Sequence, residues 1–279
     1  GGDSGVGKTT IINHLQGILG NKLLQIEGDG EHKWERGDEN WNKFTHLDPK
    51  ANFIHKQAEA IHELKYGRVI KRSDYDHKLG RFTEPTEVKP KEYIAISGLH
   101  PFYLPRLRKT IDLKIYLDTD ETLRRHWKIV RDTKKRGYSI EKIVEQIEAR
   151  VPDTVKFIYP QKDYADLIIR YFGLNKYSLG KDGETIKLGL RITLNANVHI
   201  EDILERLNCT YNWDYNGDLK SQFLELKEIP NVDFREIALD IITNIDEIVP
   251  SKGVWEDGYE GLIQLISLKM ISENLKNLQ

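Results

Sequence analysis

The sequence predicts an α/β fold in which a mostly parallel sheet is flanked by helices and extended by a C-terminal α+β region. The first observation is a glycine-rich turn at residues 1–7 that opens a segment with apolar residues at helical spacing. The second is that strand and helix patterns alternate over residues 1–172, as in parallel sheets covered by helices. The third is that this alternation stops after residue 172. We therefore predict a core at 1–172 and an extension at 173–279 packed on it.

The glycine-rich turn matches a phosphate-binding loop. Residues 2–9, Gly-Asp-Ser-Gly-Val-Gly-Lys-Thr, fit the pattern G-x-x-x-x-G-K-[ST]. In such a loop the backbone N–H groups face the phosphates, the lysine reaches the β- and γ-phosphates, and the last hydroxyl ligates Mg²⁺. The alternative is a glycine-rich turn that binds nothing. The pattern favours binding of ATP with Mg²⁺ by Gly2, Asp3, Ser4, Gly5, Gly7, Lys8, Thr9 and Thr10.

The composition is that of an ordinary soluble protein, with 279 residues, 39% of them hydrophobic and 31% charged. A net charge of −2 predicts no nucleic-acid or membrane partner, and no apolar run is long enough for a membrane span. The single cysteine, Cys209, excludes an internal disulfide and favours a cytoplasmic location. Histidines lack zinc-ligand spacing. Because no methionine and no strand precede the loop, we expect the natural N-terminus slightly upstream.

A carboxylate suited to catalysis follows the next predicted strand. Residues 22–27 form a short strand pattern, so Asp29 lies past its carboxyl end, on the ligand edge of a parallel sheet. We predict that Asp29 accepts the proton of a substrate hydroxyl during phosphoryl transfer. The alternative is a turn-forming aspartate beside glycine. His32, Lys33 and Arg36 suit a phosphorylated or polyhydroxylated substrate, or are simply solvated loop charges.

Further polar groups follow on the same edge. Asp48 and Pro49 begin a helix that we predict to end near residue 64. Residues 65–90 form an excursion with a small hairpin that carries Tyr75 and His77. The strand at 93–97 ends in Ser97, and His100 follows it.

A candidate lid follows the strand at 113–117. Asp118 and Glu121 have capping spacing for a helix that ends in a basic cluster at 134–136. This cluster either neutralises the helix C-terminus or belongs to a mobile lid that binds the transferring phosphoryl group. A second helix at 139–149 follows.

Residues 173–279 carry no catalytic pattern of their own. They follow a last core strand at 166–171. We predict strands at 186–194 and 222–226, and helices at 200–207, 232–248 and 258–277. We interpret this segment as a sheet extension with covering helices and as an assembly surface.

Several motifs together resemble the phosphoribulokinase/uridine kinase family, above all its phosphoribulokinase members of the plant, cyanobacterial and archaeal class. The resemblance covers essentially the whole chain, which makes it far more specific than the phosphate loop alone. The motifs lie at residues 1–10, 27–36, 45–52, 75–77, 98–103, 131–137, 150–166 and 258–269.

The resemblance implies a P-loop kinase, acting as a homodimer, that uses ATP and Mg²⁺ to phosphorylate the primary hydroxyl of ribulose 5-phosphate, giving ribulose 1,5-bisphosphate. Asp29 matches the catalytic base, and Thr9 and Asp29 match the metal site. Lys8 matches the ATP-binding lysine, while Arg131 and Arg136 match a lid near 131–153. The positions at which the family binds its sugar-phosphate substrate are matched by His32, Arg36, Tyr75, His77, His100 and Arg150.

The sequence departs from the family pattern in three respects. Ser97 stands where the family's strand ends in a glutamate that supports Mg²⁺. Val6 and Glu27 stand where the plant-type enzymes carry their redox cysteine pair, so a thiol switch between these positions is impossible. Residues 173–221 follow the family only loosely.

Three functions are therefore considered. The first is a phosphoribulokinase-type sugar-phosphate kinase. The second is a kinase of the same family acting on uridine, another nucleoside or another small alcohol; uridine kinases usually lack the C-terminal hundred residues. The third is a catalytically weakened nucleotide-binding relative, supported only by Ser97.

Overall fold

Parallel strand pairs with helices between them form the middle of the molecule. The computed structural model describes residues 1–41, 43–76 and 78–277. The strands are β1 Leu23–Glu27, β2 Ile70–Arg72, β3 Tyr75–Asp76, β4 Arg81–Phe82, β5 Thr86–Val88, β6 Tyr93–Ser97, β7 Ile115–Leu117, β8 Leu167–Gly173, β9 Leu188–Asn195, β10 Tyr211–Tyr215 and β11 Ser221–Leu226. The helices are α1 Lys8–Leu19, α2 Ile54–Lys65, α3 Pro105–Thr110, α4 Glu121–Arg136, α5 Ile140–Asp153, α6 Glu201–Leu204, α7 Phe234–Ile241, α8 Ile245–Ile248 and α9 Gly258–Asn277.

The strand pairing confirms the predicted α/β fold. β1 pairs with β6 in parallel, which places Glu27 beside Ser97 at the carboxyl ends of both strands. β7 pairs with β8 in parallel, and Gly2 forms a parallel bridge with Leu117 of β7. β7 and β8 belong to a five-stranded sheet of order β10-β11-β9-β8-β7, whose pairing is antiparallel from β8 onward, while β1 and β6 form a separate two-stranded sheet. The parallel pairs lie in the first part of the chain, as the sequence predicts, together with the short antiparallel pairs β2–β5 and β3–β4.

One hydrophobic core joins the two predicted segments. It contains Ile18 and Leu167 from the first segment together with Leu224 and Leu262 from the second. Helix α9 is apolar on all sides, and thirteen of its twenty residues are buried. Among the described residues, none of the helices has the length and apolar character needed to cross a bilayer. The domain division at residue 172 stays a prediction.

Two predicted helix starts are wrong, for local reasons. Asp48 caps only the short 3-10 turn Pro49–Ala51, and α2 begins at Ile54. The break lies at Asn52, whose backbone is extended and whose side chain is held by hydrogen bonds outside the helix. Helix α4 is capped by Asp120 rather than Asp118, because the Asp120 carboxylate accepts the N–H groups of the first turn.

The C-terminal segment differs from its prediction in one helix and one strand. The predicted helix at 232–248 divides into α7 and α8, separated by Ile242, whose backbone is extended. β-branched residues at 241–243 explain the break, since they lose rotamer freedom in a helix. Strand β10 was not predicted, although its aromatic residues alternate with polar ones; all but one of its five residues are exposed.

Candidate active site

The glycine-rich loop precedes α1 and requires left-handed backbone at several positions. Gly2, Gly5 and Gly7 have φ angles of 135°, 92° and 96°, a region that favours glycine. The Lys8 ammonium donates hydrogen bonds to the carbonyl oxygens of Gly2 at 2.9 Å and Asp3 at 2.7 Å. The lysine side chain therefore folds back over the loop, where the phosphates are expected.

Lys8 and Asp29 are electrostatically coupled. Burial lowers the pKa of Lys8 to about 8, and the carboxylates of Asp3 and Asp29 oppose this shift. Asp29 lies in a 3-10 turn, Gly28–Glu31, that directly follows β1. The fold thus brings the candidate base within electrostatic reach of the loop lysine, although the two residues are 21 positions apart in the sequence.

Helix α4 holds the loop from the other side. The Arg124 guanidinium donates a hydrogen bond to the Ser4 carbonyl at 3.0 Å and lies 3.3 Å from the Asp3 carboxylate. A Cβ atom on Gly5 would lie 3.0 Å from Cβ of Lys128, so α4 and the loop are in close contact. Arg124 and Lys128 were not predicted from the sequence. Their four-residue spacing, continued by Asp132, was the available signal for a charged stripe on one face of α4.

The predicted lid arginines share one buried carboxylate. Asp132 accepts hydrogen bonds from Arg131 Nε at 2.8 Å and Lys128 Nζ at 3.0 Å, and Arg136 Nε lies 3.5 Å away. Burial alone would raise the pKa of Asp132, but the hydrogen bond from Arg131 and the charge of Lys128 hold it at about 2. Arg131 Nη2 also lies 3.4 Å from the Ser4 hydroxyl oxygen, which places this arginine beside the phosphate loop.

A pocket on the other side of Asp29 contains two of the three predicted substrate histidines, His32 and His100. It is lined by Asp29, His32 and His100, together with Glu31, Asn52 and Gln57. His32 Nε2 lies 3.6 Å from the Asp29 carboxylate, and His32 Nδ1 lies 2.7 Å from the Asn52 amide oxygen. The cleft predicted between Asp29 and His100 is therefore present.

His100 is a neutral imidazole at pH 7. Burial lowers its pKa to about 4, against a smaller opposing effect of its hydrogen bond to the Leu47 carbonyl. His100 Nε2 lies 2.8 Å from that carbonyl oxygen. Because a carbonyl only accepts hydrogen bonds, the proton of the neutral ring lies on Nε2, and Nδ1 carries the lone pair.

Tyr75 and Arg36 lie beside this pocket. Tyr75 is buried on β3, and its ring centroid lies 5.5 Å from that of His32. Burial raises the pKa of Tyr75, and the nearby charge of Arg36 opposes the increase. Arg36 N–H donates to the Gly80 carbonyl at 2.9 Å, which joins its loop to the β3–β4 hairpin. His77, predicted on this hairpin, lies outside the described residues.

Arg150 lies with the phosphate loop rather than with the histidines. It lines a second pocket together with Asp3, Ser4, Arg124 and Thr154. Burial lowers the pKa of Arg150, while the carboxylates of Asp3 and Asp132 oppose that shift. Its predicted role toward the sugar phosphate stays a prediction, and its position indicates the nucleotide side of the site.

The donors expected to hold Mg²⁺ are oxygen atoms, the class that this ion prefers. Thr9 lies in the exposed first turn of α1, and the Asp29 carboxylate is about a third exposed. Within the described ranges, no three His, Cys, Asp or Glu side chains are placed to form a metal cage. Such a sparse set fits Mg²⁺, which usually keeps waters and binds through one or two carboxylates and the phosphates.

Comparisons with known proteins identify relatives of this chain. Residues 1–178 match the model of the Phosphoribulokinase / Uridine kinase family. A phosphoribulokinase of Synechocystis sp. is 38% identical over 170 residues, which are 61% of this chain and 51% of that protein. A uridine kinase of Brevibacillus brevis is 33% identical over 192 residues, which are 64% of this chain and 86% of that protein. The chain thus spans about half the length of the phosphoribulokinase and most of the uridine kinase.

A solved structure shows the same fold over the whole chain. The phosphoribulokinase from Rhodobacter spheroides superimposes with a TM-score of 0.65, covering 97% of this chain and 95% of that one, at 17% identity. The predicted P-loop kinase fold is confirmed. Because the family model matches 178 of the 279 residues, the chain belongs to the phosphoribulokinase/uridine kinase family.

Proposed function

We propose that the protein is an ATP-dependent kinase that phosphorylates the primary hydroxyl of a pentose phosphate, foremost ribulose 5-phosphate to ribulose 1,5-bisphosphate. The observation that carries this proposal is the position of Asp29. It is coupled to Lys8 of the phosphate loop and also lines the pocket that contains His32 and His100. A base in this position lies between a phosphate donor and a hydroxyl acceptor.

The phosphate-loop side binds and orients ATP. The N–H groups of residues 2–9 and the Lys8 ammonium hold the β- and γ-phosphates, so Lys8 exchanges its contacts with the loop carbonyls for phosphate oxygens. Thr9 and Asp29 would hold Mg²⁺, whose charge would neutralise that of the phosphate oxygens. Arg131 and Arg136 neutralise charge on the transferring group once they leave Asp132.

The acceptor side supplies the base. As the acceptor oxygen attacks the γ-phosphorus, the bond from that phosphorus to the ADP oxygen breaks, and Asp29 accepts the hydroxyl proton. His32 lines the pocket and Tyr75 and Arg36 lie beside it, so these side chains offer donors that suit an anionic sugar. The likeness to the Synechocystis phosphoribulokinase supports ribulose 5-phosphate as the acceptor.

A nucleoside kinase is the second candidate. Its support is that the aligned segment covers 86% of the Brevibacillus brevis uridine kinase but only 51% of the Synechocystis phosphoribulokinase. A homodimer formed through the C-terminal segment and a cytoplasmic location are parts of the first proposal. Light scattering of the purified protein tests the dimer.

The direct test is ADP release with ATP, Mg²⁺ and a panel of ribulose 5-phosphate, other pentose phosphates, uridine and cytidine. We expect the highest kcat/KM with ribulose 5-phosphate and no turnover by a Lys8→Ala variant. A preference for an unphosphorylated nucleoside would establish the second candidate instead.

The same panel addresses the weakened-relative hypothesis through Ser97. Robust turnover by the wild type contradicts that hypothesis. A large gain on Ser97→Glu, from a wild type that is nearly inactive, would support it.

A further inference from the structure

Glu31 is a buried acid in the acceptor pocket to which the proposed function assigns no role. It is 4% exposed and ends the same 3-10 turn that carries Asp29. It lines the pocket together with Asp29, His32 and His100. Its oxygen Oε2 is buried, and none of the described residues donates a hydrogen bond to it. Such an oxygen is uncommon in a folded protein, because an unsatisfied buried polar group is destabilising.

The cations near Glu31 do not satisfy this oxygen. Lys56 Nζ lies 3.9 Å from Oε2, beyond hydrogen-bond distance, and the Lys56 side chain is 63% exposed. Arg72 lies nearby, but its guanidinium donates to the Glu27 carbonyl at 2.7 Å and contacts the Asp74 carboxylate at 2.6 Å. Glu31, which lines the pocket, therefore has an acceptor oxygen that none of the described residues uses.

Two other polar side chains of the pocket are already committed to the protein. The Asn52 amide contacts His32 and donates to the carbonyls of His46 and Asp48. His100 Nε2 is bound to the Leu47 carbonyl. Since no described residue donates to Oε2, a bound molecule can supply the donor. A hydroxyl group is the suitable donor, since it hydrogen-bonds a carboxyl group well, whereas a phosphate has only acceptor oxygens at neutral pH and would be repelled.

We propose that Glu31 binds a hydroxyl group of the acceptor other than the one that is phosphorylated, and thereby selects polyhydroxylated acceptors. The inference rests on the proposed function only in taking this pocket as the acceptor site. It does not depend on which acceptor is used. It also places any phosphate of the acceptor away from Glu31, toward the Arg36 side of the pocket.

The test compares Glu31→Ala and Glu31→Gln with the wild type, using whichever acceptor of the panel the wild type phosphorylates. Losing one hydrogen bond to an acid predicts a KM for that acceptor about tenfold higher or more in Glu31→Ala. The Kd for ATP, measured by calorimetry, is expected to stay the same. Glu31→Gln keeps an acceptor oxygen, so its KM is expected to stay within about threefold of the wild-type value.

Two control variants separate recognition from structure. Glu59→Ala removes an exposed acid on α2 and is expected to leave every constant unchanged. Lys56→Ala removes the nearest cation. If Glu31 acted only as the ion-pair partner of Lys56, Lys56→Ala would reproduce the effect of Glu31→Ala, and that result would overturn the proposal.

Acceptors that lack single hydroxyl groups identify the contact. For one deoxy analogue, the wild type is expected to lose affinity while Glu31→Ala loses none, because the variant has already lost that contact. An unchanged acceptor KM in Glu31→Ala would contradict the inference, as would equal losses for every deoxy analogue. If Glu31→Ala fails to fold, Glu31→Leu takes its place, because leucine is similar in size to glutamate and also lacks an acceptor oxygen. The expected and the contradicting outcomes stay the same.

The two proposals fail separately. A wild type that phosphorylates uridine but no pentose phosphate overturns the proposed function, while Glu31→Ala still tests the inference with uridine. If nothing is phosphorylated, calorimetry of the panel with a non-hydrolysable ATP analogue decides the inference. Weaker acceptor binding by Glu31→Ala than by the wild type supports the inference. Equal binding by the two proteins, or no acceptor binding by the wild type, overturns it.

Discussion

Replacing Asp132 by asparagine is expected to destabilise the protein through the buried pair that it forms with Lys128. The two side chains are 1% and 2% exposed and lie 3.0 Å apart. Asp132→Asn keeps the shape but removes the charge, so the Lys128 ammonium loses its counter-charge in a buried place. The same change releases Arg131 and Arg136.

Two estimates give the size of this effect. Removing one partner of a buried ion pair costs about 3–5 kcal/mol in other proteins. The pKa of Asp132 is about 2 instead of 3.8, which corresponds to about 2 kcal/mol of stability at neutral pH. This contribution is complete above pH 3.8 and is lost only as the pH falls toward 2. The pKa-based figure is smaller because it omits the cost of leaving the Lys128 ammonium buried without a counter-charge. We therefore expect Asp132→Asn to lower the free energy of unfolding by about 3 kcal/mol at pH 7.

This destabilisation is measured by urea unfolding of four proteins: the wild type, Lys128→Met, Asp132→Asn and the double variant. The double variant is expected to be less destabilised than the sum of the single variants, by about 1 kcal/mol or more. Lys134→Met is the matched control, because Lys134 pairs with Asp182 at the surface, and it is expected to change stability by less than about 0.5 kcal/mol. Additive single effects would refute the buried-pair explanation.

Two further predictions concern the phosphate loop and the acceptor pocket. Gly5→Ala is expected to weaken ATP binding about tenfold or more in calorimetry, because φ is 92° and the new Cβ would lie 3.0 Å from Cβ of Lys128. Gly37→Ala, at φ 101° with open space around it, is the control and should leave ATP binding intact. The pKa of His100 is about 4 in the folded protein, against its ordinary value of 6.5 in the unfolded chain. Below pH 6.5 the unfolded state therefore binds a proton that the folded state does not, and the free energy of unfolding decreases as the pH falls. Between pH 7 and pH 5, the free energy of unfolding measured by urea titration should fall by about 2 kcal/mol more in the wild type than in His100→Asn. Equal decreases in the two proteins would contradict this explanation.

Residues close together in the sequence were predictable because their motifs are local. The phosphate loop, the turn with Asp29, and the hairpin region of Tyr75 each lie within one short stretch, and the structure has these stretches where the patterns indicate. The meeting of Asp29 with His100 was also predictable. Both follow parallel strands, and the carboxyl ends of parallel strands share one edge of the sheet.

Contacts between distant segments were not predictable in the same way. Arg124 reaches Ser4 across 120 residues, and no local pattern connects a mid-helix arginine to a loop so far away. Glu31 was visible beside Asp29, but only the fold shows that it is buried in the pocket. Strand β10 differs from both cases, because its alternation of aromatic and polar residues is local but covers only five residues.

The central claim is that Asp29 is the base between the phosphate loop and the acceptor pocket. Its most direct measurement is kcat for ribulose 5-phosphate in Asp29→Asn, with the Kd for ATP determined on the same preparation. The amide keeps the shape and an oxygen that can ligate Mg²⁺ but cannot accept the proton. We therefore expect kcat to fall about 10²–10⁴-fold while the Kd for ATP, measured without Mg²⁺, changes little. A variant that keeps kcat within tenfold of the wild type would contradict the claim.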